Sequence, residues 1–188
     1  MVLHLTGDPA ADRLLSDNPL ALLIGMLLDQ QVAMEVAFEG PAKLAQRLSA
    51  FDAATMADLD AEEFAGICAQ TPAVHRYPKA MAGRIQALCA TVVADYDGDA
   101  AAIWRRGEPD GATVLRRLQA LPGFGVQKSK IFLALLGKQT GLSAPGWAQA
   151  AGDYGKPGTF RSIADVTDPA SLARVREFKK AAKAAARK

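Results

Sequence analysis

The first half of the chain alternates between apolar runs and short polar breaks at helical spacing. The longest apolar run, at 20–28, reads LALLIGMLL and follows Asn18 and Pro19, which suit the N-cap and the first position of a helix. The run is apolar on nearly every side until residues 29–31, so we expect a buried central helix that ends at a polar surface. It is far shorter than the ~20 residues of a membrane span, so no transmembrane helix is expected.

Further helices are predicted from capping residues and from apolar residues three and four positions apart. Asp52 and Asp60 each precede a short helical turn, and the Gly-Pro pair at 40–41 predicts a break before the short helix PAKLAQRL. Longer helices are predicted in KAMAGRIQALCATVVADY, GATVLRRLQAL and VQKSKIFLALLGKQTG, and the last should end at Gly137 or Gly141. No strand pattern is found, so the predicted fold class is all-α, with eight to ten short helices.

The pattern changes near the C-terminus. Residues 142–168 are rich in Gly, Pro and Asp, which predicts a long ordered loop with about one helical turn. Long loops in compact domains are often functional. A basic C-terminal helix is predicted over 169–188, with Asp168 as its cap.

Charge is distributed unevenly, although the formal net charge is only +2. Residues 1–75 carry 11 acidic and 3 basic side chains, a net of −8, whereas residues 76–188 carry 9 and 19, a net of +10. This asymmetry favours a polyanion as the partner of the C-terminal half. The alternative is two solvated surfaces that happen to differ in charge.

The sequence offers no set of metal ligands. Cys68 and Cys89 are the only cysteines and have no CxxC spacing, which is too few for a four-thiolate zinc or iron–sulfur site. His4 and His75 are far apart and have no cysteine partners at suitable spacing, so no metal site is predicted. Two free thiols and no secretory signal predict a cytoplasmic protein.

The stretch LPGFGVQKSK, residues 121–130, joins two predicted helices by a turn that suits a phosphate. Gly123 and Gly125 can adopt positive φ and let another backbone approach closely. The helix that follows would present unpaired N–H donors and the positive end of its dipole. Lys128 and Lys130 add positive charge beside it. The alternative is a plain corner between two helices.

The segment LQALPGFGVQKSKIFLALLG resembles the helix-hairpin-helix of the HhH-GPD superfamily of base-excision DNA glycosylases, in which LPGxG precedes a helix. LLIGMLLDQQVAMEVA is similar to an early helix of that family, which ends in one or two glutamines. The resemblance implies one two-lobed helical domain over 1–188, with the helix-hairpin-helix at about 111–137 and a DNA-binding cleft between the lobes. It also implies that the hairpin holds a phosphate of double-stranded DNA, often through a monovalent cation bound by hairpin carbonyls.

The resemblance also implies roles for particular side chains. Gln30 and Gln31 match the position whose side chain fills the space left by a flipped base, and flipping costs a few kcal/mol. Gln127, next to the hairpin glycines, is expected to contact DNA together with the two lysines. Trp147 and Tyr154 in the long loop could stack on the extruded base, or they could anchor the loop in the core.

Two departures from the family pattern concern catalysis. Most members have an aspartate about twenty residues after the second hairpin glycine, where it stabilises the cationic sugar of the transition state. That offset falls at Pro145 here, so Asp153 and Asp29 are the candidate catalytic carboxylates, with a structural role as the alternative for Asp29. Bifunctional relatives place a nucleophilic lysine where this chain has Gln127. Lys128 lies about 100° further around the helix and is expected to contact phosphate instead.

The sequence therefore predicts a base excision DNA repair glycosylase that flips and removes a damaged or modified base. We expect it to be monofunctional and monomeric, with no cofactor other than the hairpin cation and no iron–sulfur cluster. One alternative is a non-catalytic helix-hairpin-helix protein that binds lesions or duplex DNA. Another is a helical protein–protein adaptor in which the hairpin is only a corner.

Overall fold

The computed structural model of the protein describes residues 2–185, apart from the side chain of Lys183. The last residues of the predicted C-terminal helix, 186–188, lie outside the described residues. Between residues 2 and 185 the regular structure consists of eleven α-helices and two 3-10 turns, without a strand, which confirms the all-α prediction. None of these helices is long and apolar enough to cross a bilayer. The α-helices are α1 (Pro9–Asp17), α2 (Pro19–Leu28), α3 (Met34–Arg47), α4 (Ala53–Asp58), α5 (Ala61–Ala69), α6 (Pro78–Tyr96), α7 (Ala102–Arg105), α8 (Gly111–Gln119), α9 (Val126–Gln139), α10 (Trp147–Ala151) and α11 (Pro169–Ala185).

Side-chain caps account for most of the predicted helix starts. The side chain of Asn18 accepts two backbone N–H groups at the start of α2. Asp52 and Asp60 cap α4 and α5, and Asp168 caps α11, as their spacing predicts. The pattern did not predict α1, although Asp8 caps it in the same way.

The predicted break at Gly40 and Pro41 is wrong, because α3 runs unbroken through both residues. Both are buried, and a Cβ on Gly40 would lie 2.5 Å from Cδ1 of Leu28 in α2. Glycine at this position therefore lets α3 approach α2 closely. Packing against α2 outweighs the hydrogen bond that proline removes from the helix.

Helix α2 is buried from Leu20 to Leu28 and lies between two groups of helices. On one side it packs against α3 and α6, and α6 packs against α4 and α5. On the other side α8, α9 and α10 pack together. Phe132 of α9 forms edge-to-face pairs with Trp104 and Phe124 in the core of this group. Helix α11 reaches back to the first group, where Arg176 pairs with Glu35 of α3.

Residues 142–168, which we call the returning segment, contain more helix than predicted. Besides α10 they form 3-10 turns at Gly152–Gly155 and Ile163–Asp165. The segment is held to α9 by the partly buried ion pair between Lys138 and Asp165, at 2.6 Å. Asp165 also accepts the backbone N–H of Arg161, so one carboxylate fixes both the loop and the helix beside it.

Candidate nucleic-acid interface and active site

The hairpin contains two glycines, Gly123 and Gly125, and the structure gives a different reason for glycine at each position. Gly123 has φ of +80°, and a Cβ there would lie 2.5 Å from Cδ1 of Leu27. Glycine is therefore needed both for the left-handed conformation and for contact with α2. Gly125 has φ of −75°, so the positive φ that we considered for it is not used. A Cβ on Gly125 would meet no atom within 4 Å, so the space outside this residue is open.

The first turn of α9 offers N–H donors without acceptors. The first backbone hydrogen bond of the helix runs from the N–H of Ser129 to the carbonyl of Gly125, at 3.0 Å, and no side chain caps the helix. Among residues 2–185, the N–H groups of residues 125–128 therefore have no protein partner. Together with the positive end of the helix dipole, they form a site that suits a phosphate oxygen.

Lys128 does not extend toward this open face. Its Nζ donates to the carbonyl oxygens of Met26 at 2.6 Å, Leu27 at 3.0 Å and Asp29 at 3.3 Å, all at the C-terminal end of α2. The expectation that Lys128 contacts phosphate is corrected accordingly, because unpaired carbonyls at a helix end attract a cation. Burial lowers the pKa of Lys128 to about 8, against the opposing influence of Asp29 and with a smaller contribution from Arg84.

Gln30 is held in place by three partners, Leu27, Arg84 and His75. Its Nε2 donates to the carbonyl of Leu27 at 2.7 Å, and its Oε1 accepts from Arg84. The backbone carbonyl of Gln30 lies 3.0 Å from Nε2 of His75. Because Nδ1 of His75 accepts the backbone N–H of Tyr77, at 3.1 Å, Nε2 carries the ring proton and donates to Gln30.

Gln31 is the exposed residue of this turn. Its φ of +58° is unusual for a residue with a side chain and costs about 1–3 kcal/mol, which the neighbouring structure must offset. Gln30 and Gln31 line a cavity of about 210 Å³ together with His75, Tyr77 and Arg84. The turn therefore presents one amide side chain to solvent and holds the other in the protein.

The two candidate carboxylates lie in different surroundings. Asp29 is half-buried at the C-cap of α2, and its carboxylate has no hydrogen-bond or ion-pair partner among residues 2–185. The side chain of Asp153 is 57% exposed and pairs with Lys156 at 2.6 Å and with Arg161 at 3.6 Å. The hydrogen bond and charge of Lys156, with a further contribution from Arg161, hold the pKa of Asp153 below its ordinary value.

The returning segment brings Asp153 to the first turns of α9. Nε2 of Gln127 donates to the hydroxyl of Tyr154 at 2.9 Å. A Cβ on Gly152 would lie 4.0 Å from Nζ of Lys130, so the residue before Asp153 lies near the Lys130 side chain of α9. Gln127 occupies the position of the lysine in bifunctional relatives of the resembled family. Tyr154 thus contacts that position directly, and Asp153 is its neighbour in the chain.

Pro145 and Trp147 lie at the opposite end of α9. The carbonyl of Pro145 accepts the N–H of Gly111 at 2.7 Å, and a Cβ on Gly137 would lie 2.3 Å from the ring of Trp147. Gly137 is eleven residues beyond Val126, or about 16 Å along the helix. Of the two roles considered for Trp147, this contact favours the anchor, because the ring packs on α9 away from the hairpin. Helix α10 begins at Trp147 and accounts for the extra residues that the chain needs to return from here to the hairpin end of α9.

The described residues contain no group of three or more His, Cys, Asp and Glu side chains that could hold a metal ion. Cys68 and Cys89 are free and buried, and burial raises their pKa to about 11 and about 12. A cluster of the four-cysteine type does not fit this chain, because its sequence has only two cysteines.

Comparison with known proteins identifies the class. The sequence matches the family described as HhH-GPD superfamily base excision DNA repair protein over residues 24–187, and the chain therefore belongs to this superfamily. Two solved structures of endonuclease III with DNA are similar to part of this chain. One is a trapped covalent intermediate, the estranged-adenine complex, at 19% identity and a TM-score of 0.44. The other is a non-covalent complex, at 18% identity and a TM-score of 0.44.

Both alignments cover 65% of this chain and 53% of the endonuclease III chain, so the similarity spans about half the length of those proteins. A search of curated proteins gives no significant match.

Proposed function

We propose that the protein is a monofunctional DNA N-glycosylase, acting as a cytoplasmic monomer on a damaged or modified base in duplex DNA. The observation that carries this proposal is the open first turn of α9, where the N–H groups of residues 125–128 have no acceptor within residues 2–185. A DNA phosphate placed there would accept these N–H groups and lie at the positive end of the helix. Membership of the HhH-GPD superfamily supports this use of the hairpin.

The hairpin could also hold the monovalent cation that the family resemblance implies. Within residues 2–185 the carbonyls of Pro122 and Gly123 accept no hydrogen bond, so they are free to act as oxygen ligands. A bound cation would add positive charge next to the phosphate. The same turn would then contact DNA through both its N–H and its carbonyl groups.

Base removal requires a flipped nucleotide and a stabilised sugar cation. Gln31 is exposed at the turn after α2, where its amide could enter the gap left by the base. We assign the carboxylate role to Asp153 because the returning segment carries it to the first turns of α9. Its carboxylate is ionised at neutral pH, as an exposed aspartate is, and stabilisation of a cationic sugar requires that charge. Gln127 provides no amine for a Schiff base, so the product would be an intact abasic strand.

The catalytic assignment is tested by comparing Asp153→Asn with Asp29→Asn. Duplexes containing uracil, an alkylpurine, hypoxanthine or an oxidised base are incubated with enzyme, treated with alkali and resolved on a gel. We expect Asp153→Asn to lower the single-turnover rate by about 100-fold or more, without any loss of DNA affinity. Asp29→Asn is the matched control and should change the rate much less. A rate loss confined to Asp29→Asn would transfer the role to that residue.

A second candidate function is non-catalytic recognition of damaged DNA. It is favoured by the two cations that pair with Asp153 and would reduce its ability to stabilise a sugar cation. This alternative predicts tight binding to abasic duplexes and no release of free base from any substrate. Mass spectrometry of the supernatant separates the two functions, since a single released base would exclude the alternative.

A further inference from the structure

Lys128 joins two regions that the proposed function needs at a fixed separation. It lies in the first turn of α9, and its backbone N–H is one of the open donors at the hairpin. Its side chain runs the other way and ends on three carbonyl oxygens of α2 and the turn after it. One residue therefore contacts the candidate phosphate site with its main chain and the end of α2 with its ammonium group.

The carbonyls that Lys128 contacts belong to the turn that presents Gln31. The carbonyl of Leu27 accepts hydrogen bonds from Nζ of Lys128 and from Nε2 of Gln30. The carbonyl of Asp29 accepts a further hydrogen bond from Nζ of Lys128. Gln30 is the immediate neighbour of Gln31, whose left-handed backbone conformation depends on its surroundings. Fixing residues 27–30 therefore fixes the direction in which the exposed amide points.

We propose that Lys128 is a positioning residue that clamps the hairpin helix to the end of α2 and so sets where Gln31 stands relative to the bound DNA phosphate. The proposal rests on the proposed function. It assigns Lys128 neither to the phosphate contact nor to covalent chemistry. A side chain that enters the duplex must be aligned with the N–H groups that bind the phosphate to within about 0.5 Å to be effective. The contact of Lys128 with the end of α2 supplies that alignment.

A cation suits this place better than an apolar side chain. The last carbonyls of α2 have no partners inside the helix and carry the negative end of its dipole. The charged groups that face the ammonium are Asp29 on α2 and Arg84 on α6, and the ring of Phe124 lies with its centroid 6.0 Å from Nζ. Lys128→Met keeps the length of the side chain but removes all three donors, whereas Lys128→Arg keeps charge and donors.

The first experiment measures affinity for an intact duplex and for the same duplex with one abasic site, by fluorescence anisotropy. For Lys128→Met we expect the preference for the abasic duplex to fall about tenfold, as loss of a charge-assisted hydrogen bond predicts, with intact-duplex affinity nearly unchanged. Lys128→Arg should restore most of the preference. The control, Lys130→Gln on the same helix, should weaken both duplexes by the same factor.

A pH series provides a second test, in which the main observation is made on the wild-type protein. With a pKa of about 8, the ammonium of Lys128 loses its charge and one donor as pH rises from 7 to 9. The preference for the abasic duplex should fall over this range in the wild type and stay level in Lys128→Arg. Hydrogen exchange without DNA adds a third measurement, since the amides of residues 29–32 should exchange faster in Lys128→Met.

The outcomes separate this proposal from the proposed function. Equal losses on both duplexes would assign Lys128 to a phosphate contact, and a borohydride-trapped covalent complex that disappears in Lys128→Met would assign it to lyase chemistry. Either result overturns the clamp. An unchanged preference with unchanged hydrogen exchange would also overturn it, whatever the enzyme does. If the wild type binds no DNA, the proposed function fails, and the exchange measurement still decides whether Lys128 holds the turn.

Discussion

The hairpin and the returning segment both bring candidate functional groups to the first turn of α9, but different interactions hold them there. The hairpin is shaped mainly by local backbone conformation, with Gly123 in the left-handed region and an uncapped helix directly after Gly125. The returning segment depends on distant contacts, chiefly the ring of Trp147 against Gly137 and the ion pair of Lys138 with Asp165. A phosphate grip can therefore survive when the segment carrying the candidate carboxylate is displaced.

The largest effect should follow from closing the open face of the hairpin. Gly125→Asp places a side chain in space that is empty now and adds a negative charge where a phosphate would lie. Loss of charge-assisted hydrogen bonds costs about 1.5–3 kcal/mol, or about 10- to 150-fold in affinity, before the repulsion is counted. Anisotropy titration with a duplex oligonucleotide measures the change.

The matched control for this variant is Gly66→Asp, an equal charge change at an exposed glycine of α5 with nothing within 4 Å. Its affinity for duplex DNA should stay within about twofold of the wild type, because a single distant charge is largely screened at physiological salt. Equal losses in the two variants would show that only the overall charge matters. The hairpin would then have no special part in binding.

The next effect should appear in stability rather than in binding. Gly137→Ala adds a Cβ that would lie 2.3 Å from the ring of Trp147, so the ring must move. Overpacking of this kind costs about 1–3 kcal/mol, which urea unfolding measures. Base removal should fall because Asp153 is displaced, while affinity for intact duplex is preserved by the hairpin.

The control for Gly137→Ala is Gly66→Ala, which fills open space on an exposed helix. It should be neutral or stabilising by up to about 1 kcal/mol, because alanine favours helix over glycine. If Gly137→Ala weakened duplex binding as much as it weakened base removal, the two regions would not be independent.

The same contrast explains what could be predicted from the sequence. The capped helices, the buried α2 and the hairpin depend on residues close together in the chain, and their patterns are visible there. The packing partner of Trp147 and the direction of Lys128 depend on residues brought together only by the fold. The sequence therefore left Trp147 open between a base pocket and an anchor of the loop, and it placed the ammonium of Lys128 at the phosphate instead of at the end of α2.

The continuity of α3 also depends on residues that are distant in the sequence. Gly40 and Pro41 break helices in isolation, and only the contact of Gly40 with Leu28 shows why they do not do so here. The approach of Asp153 to α9 could not be derived either, because it requires α10 to carry the chain back along the helix. Sequence spacing alone gave a carboxylate that was eight residues late, without a path to bring it to the site.

The smallest effect is expected where the two regions meet. Lys130 is half-buried beside the returning segment, and its charge helps to keep the pKa of Asp153 low. A lysine that contacts one phosphate contributes about 0.9 to the slope of log K against log salt concentration. Because Asp153 offsets part of this charge, Lys130→Gln should lower the slope by less than that value, with affinity reduced about threefold or less.

A double-mutant comparison tests whether Lys130 and Asp153 interact. Asp153→Asn in the wild-type protein should raise intact-duplex affinity. The same substitution in the Lys130→Gln variant should raise affinity by a smaller factor, because the effects of neighbouring charges are not additive. The control is Arg13→Gln on α1, an exposed position in the acidic half of the chain that should leave the slope unchanged. Strictly additive effects at Lys130 and Asp153 would mean that the returning segment does not influence the charge that DNA meets at the hairpin.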